Sequence, residues 1–183
     1  CNQLISIKRK NSDLHETQLD LQLLKSLGLK SSYSLPEIIP MRRFSKHFNQ
    51  QPPSFFSQID ARLHSHNDLP VKKFNLVLHP LTRGRHIEWP LENYAALIKY
   101  LDPSIFNIFI TGSEQEGLEL RPTLIQPFIN SHTHLFDLTG QLDLENLIYF
   151  LSQIDGLICS STGPVHLSSA FGKNTLGLYA PIK

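Results

Sequence analysis

From residue 74 onward the chain alternates between two hydrophobic periods. Short apolar runs at 74–78, 105–111, 135–138, 156–159 and 175–179 read as buried strands. Between them, segments 91–101, 114–129, 142–151 and 163–171 carry apolar residues at helical spacing. Pro90 stands at the first turn of one of these helices, and Pro122 and Pro127 interrupt another. Strands that alternate with helices of this length can close only as βαβ units. The expected architecture is therefore α/β, a mostly parallel sheet with helices on both faces. Such sheets bind ligands at the carboxyl ends of their strands, so the strand-to-helix junctions are the places to look for chemistry.

The preceding part, 1–73, is organised differently. Leu19, Leu23, Leu24 and Leu27 recur at helical spacing, which predicts a helix over 12–28. Ser12 or Asp13 is its expected cap, with Glu16 completing a capping box from Asp13, and Gly28 its expected stop. Residues 31–73 hold five prolines and polar runs. They read as a linker with a short strand at 34–39 and a helix somewhere in the middle. The expected division is a linker and interdomain remnant over 1–73 and a ligand-binding domain over 74–183.

Composition excludes several classes. Lys plus Arg is 17 and Asp plus Glu is 16, a net charge of +1, which excludes a strongly basic nucleic-acid binder. With 40% hydrophobic and 18% charged residues, the chain is no acidic disordered polymer. No apolar run approaches the ~20 residues of a membrane span, and the first ten residues lack the apolar core of a signal peptide. Cys1 and Cys159 make no disulfide framework, which fits a reducing compartment. A chain that begins with Cys1 reads as a piece of a longer one. Cys159, in an apolar strand, reads as a buried small residue rather than a nucleophile.

Three junctions could carry chemistry. The first, 79–90, offers Thr82, Arg83, Arg85 and His86 around Gly84. Hydroxyl and guanidinium groups there could grip a phosphate, and Arg supplies a bidentate fork; its plain alternative is a solvated basic loop. The second, 111–116, ends in Glu116, a carboxylate able to accept from a ribose. Its alternative is a helix start at which Glu114 and Glu116 favour the dipole. The third, 159–172, is the most informative: Ser161 and Thr162 end a strand, Gly163 and Pro164 open a helix, and His166 follows in its first turn or so. Free N–H groups at such a terminus make an anion site. An ordinary cap by Ser161 or Thr162 is compatible with it. The pairs His64/His66 and His132/His134 have no Cys cluster beside them and read as solvated rather than as metal sites.

Taken together these pieces resemble glycosyltransferase family nine, the bacterial lipopolysaccharide heptosyltransferases. The resemblance rests on residues 14–18 with 23–28, Leu78-His79-Pro80, Trp89-Pro90 with Tyr94, Thr111-Gly112 and Glu116, Asp137-Leu-Thr-Gly140, and Ser161-Thr-Gly-Pro-Val-His166 with Ala170, Gly172 and Leu178-Tyr179. It implies the GT-B fold, two Rossmann-like domains facing across a cleft. This chain resembles the second domain, which binds the donor, with a piece of linker before it, and stops where relatives continue. The implied function is sugar transfer from a nucleotide-sugar, ADP-heptose by default, to a lipopolysaccharide-core or related glycan acceptor. The donor contacts would be Thr82, Arg83, Arg85, His86, Glu116, Ser161, Thr162, Gly163, Pro164 and His166, with no metal. The acceptor and the catalytic base would belong to the first domain. The implied location is cytoplasmic, peripheral at the inner membrane. Two positions depart from the family pattern: Ile87 stands where many members have Lys or Arg, and Ser161 where many have Asp. They leave open another GT-B activity, such as a nucleotide-sugar epimerase, or a non-catalytic nucleotide-sugar binding domain.

Overall fold

The structure, a computed structural model, describes residues 6–7, 10, 12–28, 32–38, 73–84, 87–128, 131 and 134–179. Its packing divides the chain into two units, Cys1–Arg43 and Phe44–Lys183.

In the first unit, helix α1 (Glu16–Gln22) is shorter than the expected 12–28 and starts later. Its cap is His15 rather than Ser12 or Asp13. The Thr17 N–H donates to His15 Nδ1 at 3.2 Å, and the His15 N–H donates to Gln18 Oε1 at 3.0 Å. From Leu23 to Leu27 the helix tightens to 3₁₀ form, and Gly28, at φ 83°, ends it as expected. The tightening advances each residue by about 120° instead of 100°, which turns the later leucines out of line. Leu19 is buried, whereas Leu23, Leu24 and Leu27 are exposed. The expected strand at 34–39 is instead one helical turn, α2 (Leu35–Ile38). Ser34 and Glu37 make the reason plain. The Ser34 N–H and hydroxyl donate to Glu37 Oε2 at 2.7 and 2.8 Å, a helix-start pattern that the neighbouring prolines obscured. The helix expected farther along the linker lies outside the described residues.

The second unit contains β1 (Phe74–His79), α3 (Leu91–Tyr100), β2 (Phe106–Ile110), α4 (Glu114–Leu120), β3 (Leu135–Asp137), α5 (Leu144–Gln153), β4 (Gly156–Ser160), α6 (Gly163–Ala170) and β5 (Asn174–Leu178). The five strands form one sheet in the order β3-β2-β1-β4-β5, and every neighbouring pair is parallel. Alternation along the strands explains the two layers of helices. Leu76, Leu78, Ile108 and Ile110 face one side and pack with Tyr94 and Ile98 of α3 and Leu120 of α4. Val77, Phe109, Leu157 and Cys159 face the other and pack with Phe150 and Leu151 of α5 and Val165 of α6. Phe109 is the pivot of that second layer, stacked on Phe136 (centroids 4.9 Å) and edge-on to Phe150 (5.3 Å). Burial pushes the Cys159 thiol up to about 12, as an inert core residue requires.

The segment 114–129, expected as a helix interrupted by Pro122 and Pro127, is regular only to Leu120. Pro122 has no N–H to donate, and the chain widens into a π turn, Arg121–Ile125, closed by the Gln126 N–H donating to the Arg121 carbonyl at 2.9 Å. The turn holds Arg121 beside the carboxyl end of β3. Its Nε donates to Asp137 Oδ2 at 2.8 Å, its Nη1 to Glu114 Oε1 at 3.0 Å and its Nη2 to the Thr139 carbonyl at 3.1 Å. Asp137 also accepts from the Thr139 N–H and hydroxyl. These contacts tie the loop after β3 to the start of α4. His134, expected in a solvated stretch, is buried: it continues the ladder beside β2, its carbonyl accepting from the Ile108 N–H at 2.8 Å.

Candidate functional site

The order β3-β2-β1-β4-β5 reverses direction at β1. The chain runs outward from β1 through β2 to β3, then crosses back to β4 on the other side of β1, so the loops after β1 and β4 lead to helices on opposite faces and leave a crevice between them. A cleft of about 700 Å³ occupies that position. Its walls are the loop after β1 (His79, Leu81, Thr82, Arg83), the start of α4 (Thr111, Gly112, Ser113, Glu116), the start of α5 (Leu142, Asp143, Leu144, Leu147) and the start of α6 (Ser161, Thr162, Gly163, Pro164, His166). All three junctions singled out in the sequence therefore meet in one place. Arg85 and His86 lie outside the described residues. Ile87 is 73% exposed and is not among the lining residues.

The wall at α6 is an open helix start. Thr162 holds the N-cap position with extended backbone (φ −139°, ψ 173°), yet its side chain makes no capping bond. The hydroxyl donates backward instead, to the Ser160 carbonyl at 3.3 Å. The first-turn N–H groups thus lack the side-chain acceptor that usually satisfies one of them. Gly163 adds room: a Cβ there would meet nothing within 4 Å. Ser160 fixes this wall to the next, its hydroxyl donating to the Pro80 carbonyl at 2.6 Å.

In the loop after β1, Arg83 and Gly84 both adopt left-handed backbone, at φ 56° and 69°. For Arg83 that is an uncommon conformation, of the kind that clusters at ligand sites. The loop is braced from within. Thr82, 4% exposed, directs both its N–H and its hydroxyl to Glu88 Oε1, the hydroxyl at 2.7 Å. The Thr82 hydroxyl thus braces the loop through Glu88, while the residue also lines the cleft. Trp89 closes the loop edge-on against buried Tyr94, with centroids 4.8 Å apart.

Glu116 has the helix-start role read from the sequence. It is the third residue of α4 and completes a capping box. Its Oε2 accepts from the Ser113 N–H at 2.6 Å and the Ser113 hydroxyl at 2.8 Å, and its own N–H donates to Ser113 Oγ. It also lines the cleft. Burial raises its pKa, but the bonds from Ser113 and the charges of His79 and Arg83 outweigh burial, and the carboxyl sits below its ordinary range. A depressed folded pKa contributes stability above the unfolded value that is lost as pH falls through the folded one. Glu116→Gln should therefore melt below the wild type at pH 7, and the gap should close as pH drops below about 4. A gap that stays constant across that range in thermal melts would mean that the charge of Glu116 is irrelevant to α4.

Sequence reasoning singled out no role for His79, Thr111, Ser113, Asp143 or Leu144. The available signal was positional: His79, Thr111 and Ser113 stand within three residues of a strand's carboxyl end, and Asp143 and Leu144 open the helix that follows β3. Among the described residues, no three His, Cys, Asp or Glu side chains group as a metal site, and no helix is long and apolar enough to cross a membrane.

A doubly wound parallel sheet with its cleft at the point of reversal defines a Rossmann-like α/β domain. The chain belongs to glycosyltransferase family 9 (heptosyltransferase), whose family model matches residues 30–183. Over 107 residues it is 24% identical to the lipopolysaccharide core heptosyltransferase OpsX of Haemophilus influenzae, a match covering 58% of this chain and 30% of that protein. In fold it is similar to a glycosyl transferase family 9 protein from Veillonella parvula (TM-score 0.68, 18% identity, 98% of this chain and 47% of that one). It is also similar to E. coli heptosyltransferase WaaC, solved with ADP-2-deoxy-2-fluoro heptose (TM-score 0.59, 19% identity, 100% and 49%). The chain thus spans about a third of the curated relative and about half of each solved one.

Proposed function

We propose that residues 74–183 form the donor-binding domain of a glycosyltransferase that moves a sugar, heptose by default, from a nucleotide-sugar to a lipopolysaccharide-core or related glycan. The observation that carries this reading is the open start of α6 on a cleft shared with Arg83 and Glu116. The N–H groups around Gly163 and the positive end of the helix suit a diphosphate. Ser161 adds a hydroxyl and Arg83 a cation, and His166 reaches the phosphates or the sugar. Glu116, ionised and with Oε1 outside the capping box, suits ribose hydroxyls. Family membership and the ADP-bound state of the solved WaaC point the same way.

In sugar transfer the bond between the anomeric carbon and the diphosphate breaks, and charge builds on the leaving phosphate. Donors already aimed at that position lower the barrier without reorganising. An inverting transfer also needs a base for the acceptor hydroxyl. None of the residues of this cleft is assigned that role, and the acceptor and base are placed outside 74–183. The reading locates the reaction on the cytoplasmic side, at the inner membrane where the acceptor glycan is built.

A thermal-shift panel of ADP, UDP, GDP and CMP tests it. At 100 times its Kd a ligand stabilises by about 2.7 kcal/mol, which is about 5–10 °C for a chain of this size. Stabilisation by ADP above the others is the expected result. Selective stabilisation by another nucleotide would change the donor, and no stabilisation by any would remove the reading.

A further inference from the structure

One side chain of the cleft has no part in the donor contacts above. His79 ends β1, the central strand at the point of reversal, and lines the cleft floor. Its Nδ1 lies 3.0 Å from Thr111 Oγ1 at the end of the neighbouring strand, and Thr111 Oγ1 is 3.5 Å from the Leu78 carbonyl. A consistent proton order runs through this chain. Nδ1–H donates to Thr111, and the Thr111 hydroxyl donates to Leu78. The ring is then held by one nitrogen, and Nε2 keeps its lone pair for whatever enters the cleft.

We propose that His79 is the proton-linked anion contact of this cleft: neutral without ligand, its ring takes a proton at Nε2 when the diphosphate of a nucleotide-sugar binds. The inference rests on the donor-site reading. The charged and titratable groups that line the cleft around the ring come from four elements. Arg83 lies in the loop after β1, Glu116 on α4, Asp143 at the cap of α5 and His166 on α6. Burial holds the imidazole below its ordinary pKa; Glu116 raises it and Arg83 lowers it. With the carboxylate and the guanidinium opposed, burial decides, and the ring is neutral at pH 7. A diphosphate seated against α6 brings negative charge into the same low-dielectric space and reverses that balance. The proton comes from solvent, and the ring changes from single donor to double donor without moving.

The experiment is calorimetric titration of the full chain with ADP-glucose, UDP-glucose and GDP-mannose in buffers of different ionisation enthalpy. Phosphodiester groups in these probes do not titrate near neutrality, so any proton taken up belongs to the protein. The wild type should take up about half a proton or more per ligand at pH 7, and its Kd should weaken up to tenfold per unit rise in pH between the free and bound pKa values. His79→Asn, which keeps an amide near Thr111 but has no second ring nitrogen, should bind with uptake near zero. Binding by the wild type without proton uptake would overturn the inference and leave the donor site standing. Uptake that persists in His79→Asn and disappears in His166→Asn would also overturn it. No binding of any of the three probes by the wild type would overturn the donor-site reading and this inference together.

Discussion

Replacing Gly163 with tryptophan should weaken nucleotide binding at least ~100-fold while the fold survives. The argument is local. Gly163 opens α6, its Cβ position faces empty space in the cleft wall, and its backbone is not in the left-handed region. A Cβ there meets no protein atom within 4 Å, and the backbone needs no strain to accept it. Gly is also a poorer helix residue than Trp, so stability should change by less than about 0.5 kcal/mol. The indole would fill the space in which a diphosphate approaches the N–H groups, and a displacement of even ~1 Å at such a site costs about 10²-fold. Ser169→Trp, on the exposed last turn of the same helix, should bind like the wild type and serves as the control. Titration calorimetry with ADP reads both variants. Unchanged affinity in Gly163→Trp would mean that the start of α6 is not the anion site.

The second large effect concerns Gly140. Its φ is 73°, and a Cβ there would stand 1.9 Å from Glu114 Oε2 and 3.0 Å from the Glu114 Cα. The Gly140 N–H donates to the Gly112 carbonyl at 2.9 Å, so the loop after β3 cannot back away without giving up that bond. Glu114 is itself held by Arg121. Gly140→Val thus combines a left-handed β-branched residue with a backbone clash. Each effect costs on the order of 1–3 kcal/mol, and together about 3–4 kcal/mol, or roughly 6–16 °C in Tm. Binding should suffer as well, because the displaced pieces, Gly112 and the start of α4, form the cleft wall that carries Glu116. Thermal melts would check this. A variant melting within 2–3 °C of the wild type would show that the Arg121–Glu114–Asp137 contacts do not fix this loop.

What could be read in the sequence divides along a physical line. The parallel sheet was legible because Leu76, Val77 and Leu78, or Ile108, Phe109 and Ile110, are apolar on both faces, and only a sheet covered on both sides buries such runs. Gly163-Pro164 after Cys159-Ser-Ser-Thr162 marked a strand running into a helix start, and that junction became one wall of the cleft. Side-chain partners were not legible. Nothing in the spacing of Thr82 and Glu88 says that the hydroxyl is spent on the carboxylate, because the loop that brings them together depends on Gly84 and on the Trp89–Tyr94 contact. His79 was passed over for the same reason, since its meaning comes from Thr111 on another strand. In the first unit local signals misled. A short strand was read over 34–39 in a proline-rich stretch, while the decisive bonds were those from Ser34 to Glu37. His15 captured the cap expected at Ser12 or Asp13 because Gln18 lies three residues on to reciprocate.

The central claim is that a nucleotide diphosphate sits where the sheet reverses, against the start of α6. Amide NMR of the ¹⁵N-labelled full chain, titrated with ADP, tests it residue by residue. The account predicts the largest shifts at Thr162, Gly163 and His166, with smaller ones at Arg83 and from Gly112 to Glu116, and none along Asn174–Leu178. Shifts concentrated away from these loops, or saturable ADP binding that leaves the Gly163 amide unmoved, would contradict it.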